Sequence, residues 1–215
     1  MPSATARRGY ESPRRRAMAQ ETRAAVLEAA RELFATRGWS VGMREIAKAA
    51  GVSVETVYSI AGSKGALLLT VIEEGLVADV DPVPLPDRPT FRALGEGTRA
   101  GRVMVLARLI EEANRRIAPL SRTLAHAASA DPELAARADQ YDRATRAQYA
   151  QGTQMILGRR PEQDVVDGIW AIGSPEVYLL LTETAGWSGQ KYRYWLADRF
   201  EELIFDVSTL RPRAF

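Results

Sequence analysis

A chain of 215 residues with 46% hydrophobic content can build a small domain and a larger one, each with a core. It holds no cysteine, which excludes disulfides, thiolate nucleophiles and cysteine-held metals, and one histidine, His126, which leaves no histidine pair to share a metal. The net charge of +2 is uneven: residues 1–64 carry 11 Lys and Arg against 6 Asp and Glu, the rest 18 against 21, so a polyanion would meet the N-terminal end.

Residues 1–20 contain Arg7, Arg8, Arg14, Arg15 and Arg16 among Pro2, Gly9 and Pro13, with no apolar run, and read as a flexible basic arm. Such an arm can enter a minor groove or add nonspecific affinity to DNA. It lacks the apolar segment of a secretory signal, and no run of about 18 apolar residues follows. The expectation is a cytoplasmic chain without a membrane-spanning helix.

A first domain is expected over 21–80. Val26, Ala29, Ala30, Leu33 and Phe34 recur at helical spacing over Thr22–Arg37, and Met43, Ile46, Ala47 and Ala50 give a second, short apolar face. Gly51 suits the left-handed position after a helix, and Ser53 suits the N-cap of the next. In that helix Val57 and Ile60 continue the inward face from Val52, leaving Val54, Glu55, Thr56, Tyr58 and Ser59 outward. A helix this short must be held by its neighbours, and two short helices joined this way can read a DNA major groove. Other three-helix clusters share the pattern. Leu67, Leu68, Val71, Ile72 and Leu76 predict a fourth helix, ended by the proline-rich segment 81–90, which marks a domain junction.

Residues 91–215 read as helical. Val103, Leu106, Ala107, Ile110 and Ala113 predict a helix to about Ile117; Pro119 is expected to start another through Ala130, and Asp131 and Pro132 the next, to about Leu157. Glu111 and Glu112 diverge on their helix, which disfavours a carboxylate acid/base pair, and no strand precedes Gly95, Gly97 and Gly101 as a phosphate loop would need. Val165, Val166, Ile169, Trp170 and Ile172 precede a restart at Ser174-Pro175. The chain then closes on Val177, Leu180, Leu181 and Thr184, and on Tyr192, Trp195, Leu196, Phe200, Leu203 and Ile204. These broad apolar faces serve either an intrachain core or a second copy. Met104, Arg108, His126, Tyr141, Tyr149, Trp170 and Tyr178 are candidates to line a pocket for a small, largely apolar molecule.

From Thr22 to about Ile72 the chain resembles the DNA-binding domain of the tetracycline-repressor (TetR) family. The resemblance rests on Leu33-Phe34-Ala35-Thr36-Arg37-Gly38-Trp39, Arg44-Glu45-Ile46-Ala47, Ala50-Gly51-Val52-Ser53, Thr56-Val57-Tyr58 and Ser63-Lys64-Gly65-Ala66-Leu67, in order and near the family's spacing. Two departures are a connection at Ser40-Val41-Gly42 one residue shorter than usual, and Ile60-Ala61 where an aromatic usually closes the recognition helix. The resemblance implies an all-α protein: a three-helix, helix-turn-helix DNA-binding domain followed by a helical ligand-binding and dimerisation domain. By geometry and by family pattern, Val54, Glu55 and Thr56 are base-reading candidates; by family pattern Tyr58 and Lys64 meet phosphate, with Ser53, Thr22, Arg23 and Arg44 as further phosphate candidates. The resemblance also implies a homodimer through Val177, Leu180, Leu181, Thr184, Tyr192, Trp195, Leu196, Phe200 and Leu203, a double-stranded operator, and a repressor released by a small molecule, with no enzymatic activity, cofactor or metal. A helical protein-interaction module, or an enzyme without a recognisable constellation, is the alternative.

Overall fold

Three apolar stripes meet at the N-terminal end: Val26, Ala30 and Phe34 from α1 (Pro13–Arg37), Ile46 and Ala47 from α2 (Met43–Ala50), and Leu67, Leu68 and Ile72 from α4 (Lys64–Leu76). The short α3 (Val54–Ala61) joins them through Val57, which is wholly buried. The computed structural model describes residues 13–76 and 88–206, and among these every regular element is helical. Residues 1–12 of the expected basic arm and 81–87 of the expected linker lie outside the described residues. Residues 13–20, expected in the arm, instead form the first turns of α1, with 14–20 exposed to solvent; good helix formers such as Arg, Ala, Met and Gln extend the packed helix without any burial of their own.

After the short α5 (Pro89–Arg92), α6 (Arg99–Ala128) runs for 30 residues, about 45 Å at the helical rise. Pro119 lies inside α6 and does not begin a new helix. An internal proline costs about 3 kcal/mol, but Ile117, Ala118 and Leu120 are buried on both sides of it, and their packing keeps the helix continuous. Helix α7 (Pro132–Leu157) starts as expected, with Asp131 accepting from the N–H groups of Glu133 and Leu134. α8 (Gln163–Ile172), α9 (Pro175–Leu179) and α10 (Gly189–Phe205) complete the second domain, with Ser174 and Ser188 capping α9 and α10. A π-turn, Leu180–Thr184, follows α9.

Two cores result, and α6 belongs to both. Leu120, Leu124 and Ala127, with Leu134 of α7, complete the core of the first domain. Val103, Leu106, Ala107 and Ile110 pack with Val165, Ile169, Tyr192, Leu196 and Phe200 in the second. Gln163–Thr184 holds an 18-residue window of mean hydropathy 1.2, long and apolar enough to cross a membrane by length and composition alone, and 22% of that window is buried. Its helix is interrupted where Ser174 adopts extended backbone ahead of Pro175.

Candidate nucleic-acid interface

The turn between α2 and α3 is built by local chemistry. Gly51 sits at φ 68°, in the left-handed region, and its N–H returns to the carbonyls of Ala47 and Lys48. Ser53 then caps α3, its hydroxyl accepting from the Thr56 N–H at 3.2 Å. Because Val57 points into the core, a 100° step per residue turns Glu55, Tyr58 and Ser59 to solvent; Tyr58 is 50% exposed. Val54 and Thr56 lie at the edge, half-buried, and the Thr56 hydroxyl is 3.0 Å from that of Ser53.

Electrostatics sharpen these assignments. The backbone N–H of Glu55, then the Ser53 side chain, with Arg44 adding attraction, hold the Glu55 carboxyl below its usual range. It is therefore an anion at the N-terminus of α3 at neutral pH. Arg44 is exposed at the start of α2, where Glu45 accepts the Gly42 N–H at 2.8 Å and pairs with Arg37 at 2.7 Å. Lys64, at the start of α4, donates to the Trp39 carbonyl with its ammonium over the Trp39 ring. Burial pushes the Lys64 pKa down, against the smaller opposing attraction of Glu45.

Thr22 and Arg23 do not open a helix. With α1 beginning at Pro13 they lie in its third turn, not at a helix opening whose free N–H groups would favour phosphate. The Thr22 hydroxyl donates to the Met18 carbonyl at 2.8 Å and Arg23 pairs with Glu74 of α4 at 2.7 Å.

Residues 26–71, which span the buried stripe of α1, the turn and most of α4, match the profile of bacterial regulatory proteins of the tetR family. The N-terminal domain is that of the TetR family. No curated protein matches the chain. Across both domains it is similar in fold to the crystal structure of a candidate TetR-family transcriptional regulator from Mesorhizobium loti, with a TM-score of 0.62 at 17% identity, covering 89% of this chain and 97% of that one. The fold is all-α, a TetR helix-turn-helix domain followed by a helical domain.

Of the seven pocket candidates, Tyr178 belongs to the second core and Met104 and Tyr149 pack against it, while the other four lie elsewhere. The inward face of α6 runs through Ala107 and Ile110, so Arg108 turns out to solvent and lies 4.0 Å from Glu112. His126 is likewise exposed, one residue before buried Ala127. Tyr141 packs beside the first core, and Met104 and Tyr149 beside the second. Trp170 is half-buried under the Arg146 guanidinium at 5.9 Å. Tyr178 stands edge-on to Tyr192, with centroids 5.0 Å apart. A surface groove of about 330 Å³ opens instead between α6 and the α9 end, lined by Arg122, Ala125, Glu176, Leu179, Leu180, Glu183 and Thr184; Arg122 pairs with Glu183 at 2.6 Å.

The expected dimer surface divides in two. Tyr192, Leu196 and Phe200 are fully buried in their own chain's second core and cannot meet a second copy, because α10 lies along α6. Leu180 is 58% exposed and Thr184 exposed, while Val177, Leu181, Trp195 and Leu203 are half-buried.

Sequence reasoning passed over a buried polar cluster. Asn114 donates to the Gly173 carbonyl at 2.9 Å and to the Tyr192 hydroxyl at 3.3 Å, and Tyr149 donates to the same carbonyl at 2.9 Å. Glu111, with a side chain only 4% exposed, pairs with Arg193 at 2.7 Å, while Glu112 points away, as its spacing predicts. A signal existed: Asn114 continues the apolar positions 103, 107 and 110 at helical spacing, and a polar residue there needs partners. Thr123, which donates to the Phe34 carbonyl across the two domains, carried no such signal.

Proposed function

We propose that this protein is a dimeric, sequence-specific transcriptional regulator: a repressor that leaves a near-palindromic operator when a small, largely apolar effector binds the second domain. The observation that carries the DNA-reading role is α3 itself, anchored by Val57, capped by Ser53, and presenting Glu55 and Tyr58 to solvent on a domain of TetR type. The N-terminal positive charge supplies attraction to any duplex, and the first turn of α3 supplies discrimination.

Release by an effector is supported by α6. One continuous helix contributes to both cores, so a ligand that prefers a displaced α6 acts on the reader through α4 and the end of α1, by its differential affinity for the two arrangements. Dimerisation is supported by the exposed Leu180 and by the low burial of Gln163–Thr184, an apolar stretch that a second copy would cover.

The test is selection of binding sites from random duplex DNA by the purified protein at near-physiological salt. A palindrome with half-sites roughly 34–36 Å apart is expected. Binding without an enriched motif would reject the reading in favour of generic charge. Given an operator, Glu55→Ala should relax preference at one symmetric base pair by about 1–3 kcal/mol if Glu55 accepts from cytosine N4. Unaltered preference would leave Glu55 as an anion that only complements the helix dipole.

A further inference from the structure

We infer that Trp39 is a positioning residue for Lys64, holding the ammonium of that lysine ready for a DNA phosphate; this rests on the DNA-reading role proposed above. Lys64 Nζ lies 4.0 Å from the centroid of the Trp39 ring and donates to the Trp39 backbone carbonyl. Both contacts come from one residue because Gly38, at φ 66°, turns the chain back at the end of α1. The indole is fixed in its turn by stacking on Phe34, which is wholly buried, with centroids 6.2 Å apart.

The groups around the ammonium leave it available to an anion. Glu45, the carboxylate near enough to attract Lys64, is occupied by Arg37 and by the Gly42 N–H. An ammonium has three donors, and the Trp39 carbonyl takes one. A solvated lysine loses its rotamer freedom only when it meets a phosphate; Lys64 has given up much of that freedom beforehand, which is how preorganisation raises affinity. The aromatic face attracts the cation without neutralising it.

The experiment is a double-mutant cycle on the selected operator, with wild type, Lys64→Ala, Trp39→Leu and the double variant, each across a salt series. Leucine keeps an apolar side chain against Phe34, and the backbone carbonyl survives, so the loss reads the ring. Lys64→Ala is expected to weaken binding about tenfold per protomer and, with two copies in the proposed dimer, to flatten the log–log salt slope by about two units. Trp39→Leu should weaken it roughly two- to fivefold per protomer, the range of a cation–π contact, and should add nothing when Lys64 is already alanine. Equal losses from Trp39→Leu in both backgrounds would overturn the proposal. Trp39→Phe, which retains a smaller π face, replaces the leucine variant if that one does not fold.

A second readout needs no DNA. The chain has three lysines, Lys48, Lys64 and Lys191, so reductive ¹³C-dimethylation gives three resolvable side-chain signals. The ring current of Trp39 should shift Lys64 upfield of exposed Lys48, and Trp39→Leu or Trp39→Phe should reduce that shift. Coincident Lys64 and Lys48 signals in the wild type would overturn the positioning role. If no operator emerges, the regulator reading falls, and the lysine spectrum alone decides whether Trp39 holds Lys64.

Discussion

Replacing Thr123 with valine should loosen the joint between the two domains. The Thr123 hydroxyl donates to the Phe34 carbonyl at 3.0 Å, with Thr123 5% exposed and Phe34 0% exposed. Valine has nearly the same shape, so no cavity forms, and the change removes one donor. Its own-helix alternative, the Pro119 carbonyl, is a longer 3.4 Å away and gains nothing. The Phe34 carbonyl is then left buried without this partner. The carbonyl keeps its place in the backbone ladder of α1, so the change removes one hydrogen bond, worth about 0.5–1.5 kcal/mol net. A loss of about 0.5–1.5 kcal/mol follows, or roughly 1–6 °C in Tm for a chain of this size. Urea unfolding of wild type and Thr123→Val at one fixed protein concentration measures it, with an unchanged m-value required for the comparison. A variant as stable as wild type would refute the reasoning, since the carbonyl would then find an adequate partner elsewhere. A variant more stable than wild type would mean that desolvation of the hydroxyl outweighs its bond.

Gly51→Ala should cost about 1–2 kcal/mol, because Gly51 occupies φ 68° with open space around it, so the penalty is backbone strain alone; thermal unfolding of the variant checks it, and no change would mean the turn relaxes to negative φ. Folded-state attraction from the Gly42 N–H and then Arg37 depresses the pKa of Glu45, so its stabilisation is complete above the unfolded value near 4.3 and is lost as pH falls through the lower folded value. Stability of wild type should therefore decline more steeply than that of Glu45→Gln below about pH 4.3, and parallel pH profiles by denaturant titration would refute the assignment. Leu180→Asp should shift the proposed dimer toward monomer in sedimentation equilibrium while leaving helical content intact, because the side chain is 58% exposed in the single chain; an unchanged mass distribution would remove this face from the proposed interface.

Much of the reader was legible in the residues because it is encoded at short range. Gly51, Ser53 and the spacing of Val57 act within one turn of backbone, so their roles follow from φ preference, capping and a 100° periodicity without any knowledge of neighbours. The all-helical class follows likewise from periodic apolar stripes, and so do the starts of α7 and α9 at Asp131-Pro132 and Ser174-Pro175. Arg23 and Pro119 mark where short-range reasoning stops. Arg23 reads in sequence as a phosphate candidate, and its pairing with Glu74, 51 positions away, is visible only once α1 is placed against α4. Pro119 looked like a helix start until packing on both sides outweighed its missing N–H. The apolar stripe of α10 was visible in sequence, but a stripe carries no label for its partner. Only tertiary packing decided that Tyr192, Leu196 and Phe200 face α6 while Leu180 faces solvent. The same holds for Thr123 on Phe34 and Trp39 under Lys64: contacts between distant segments depend on how whole helices are placed, and local propensity does not contain that placement.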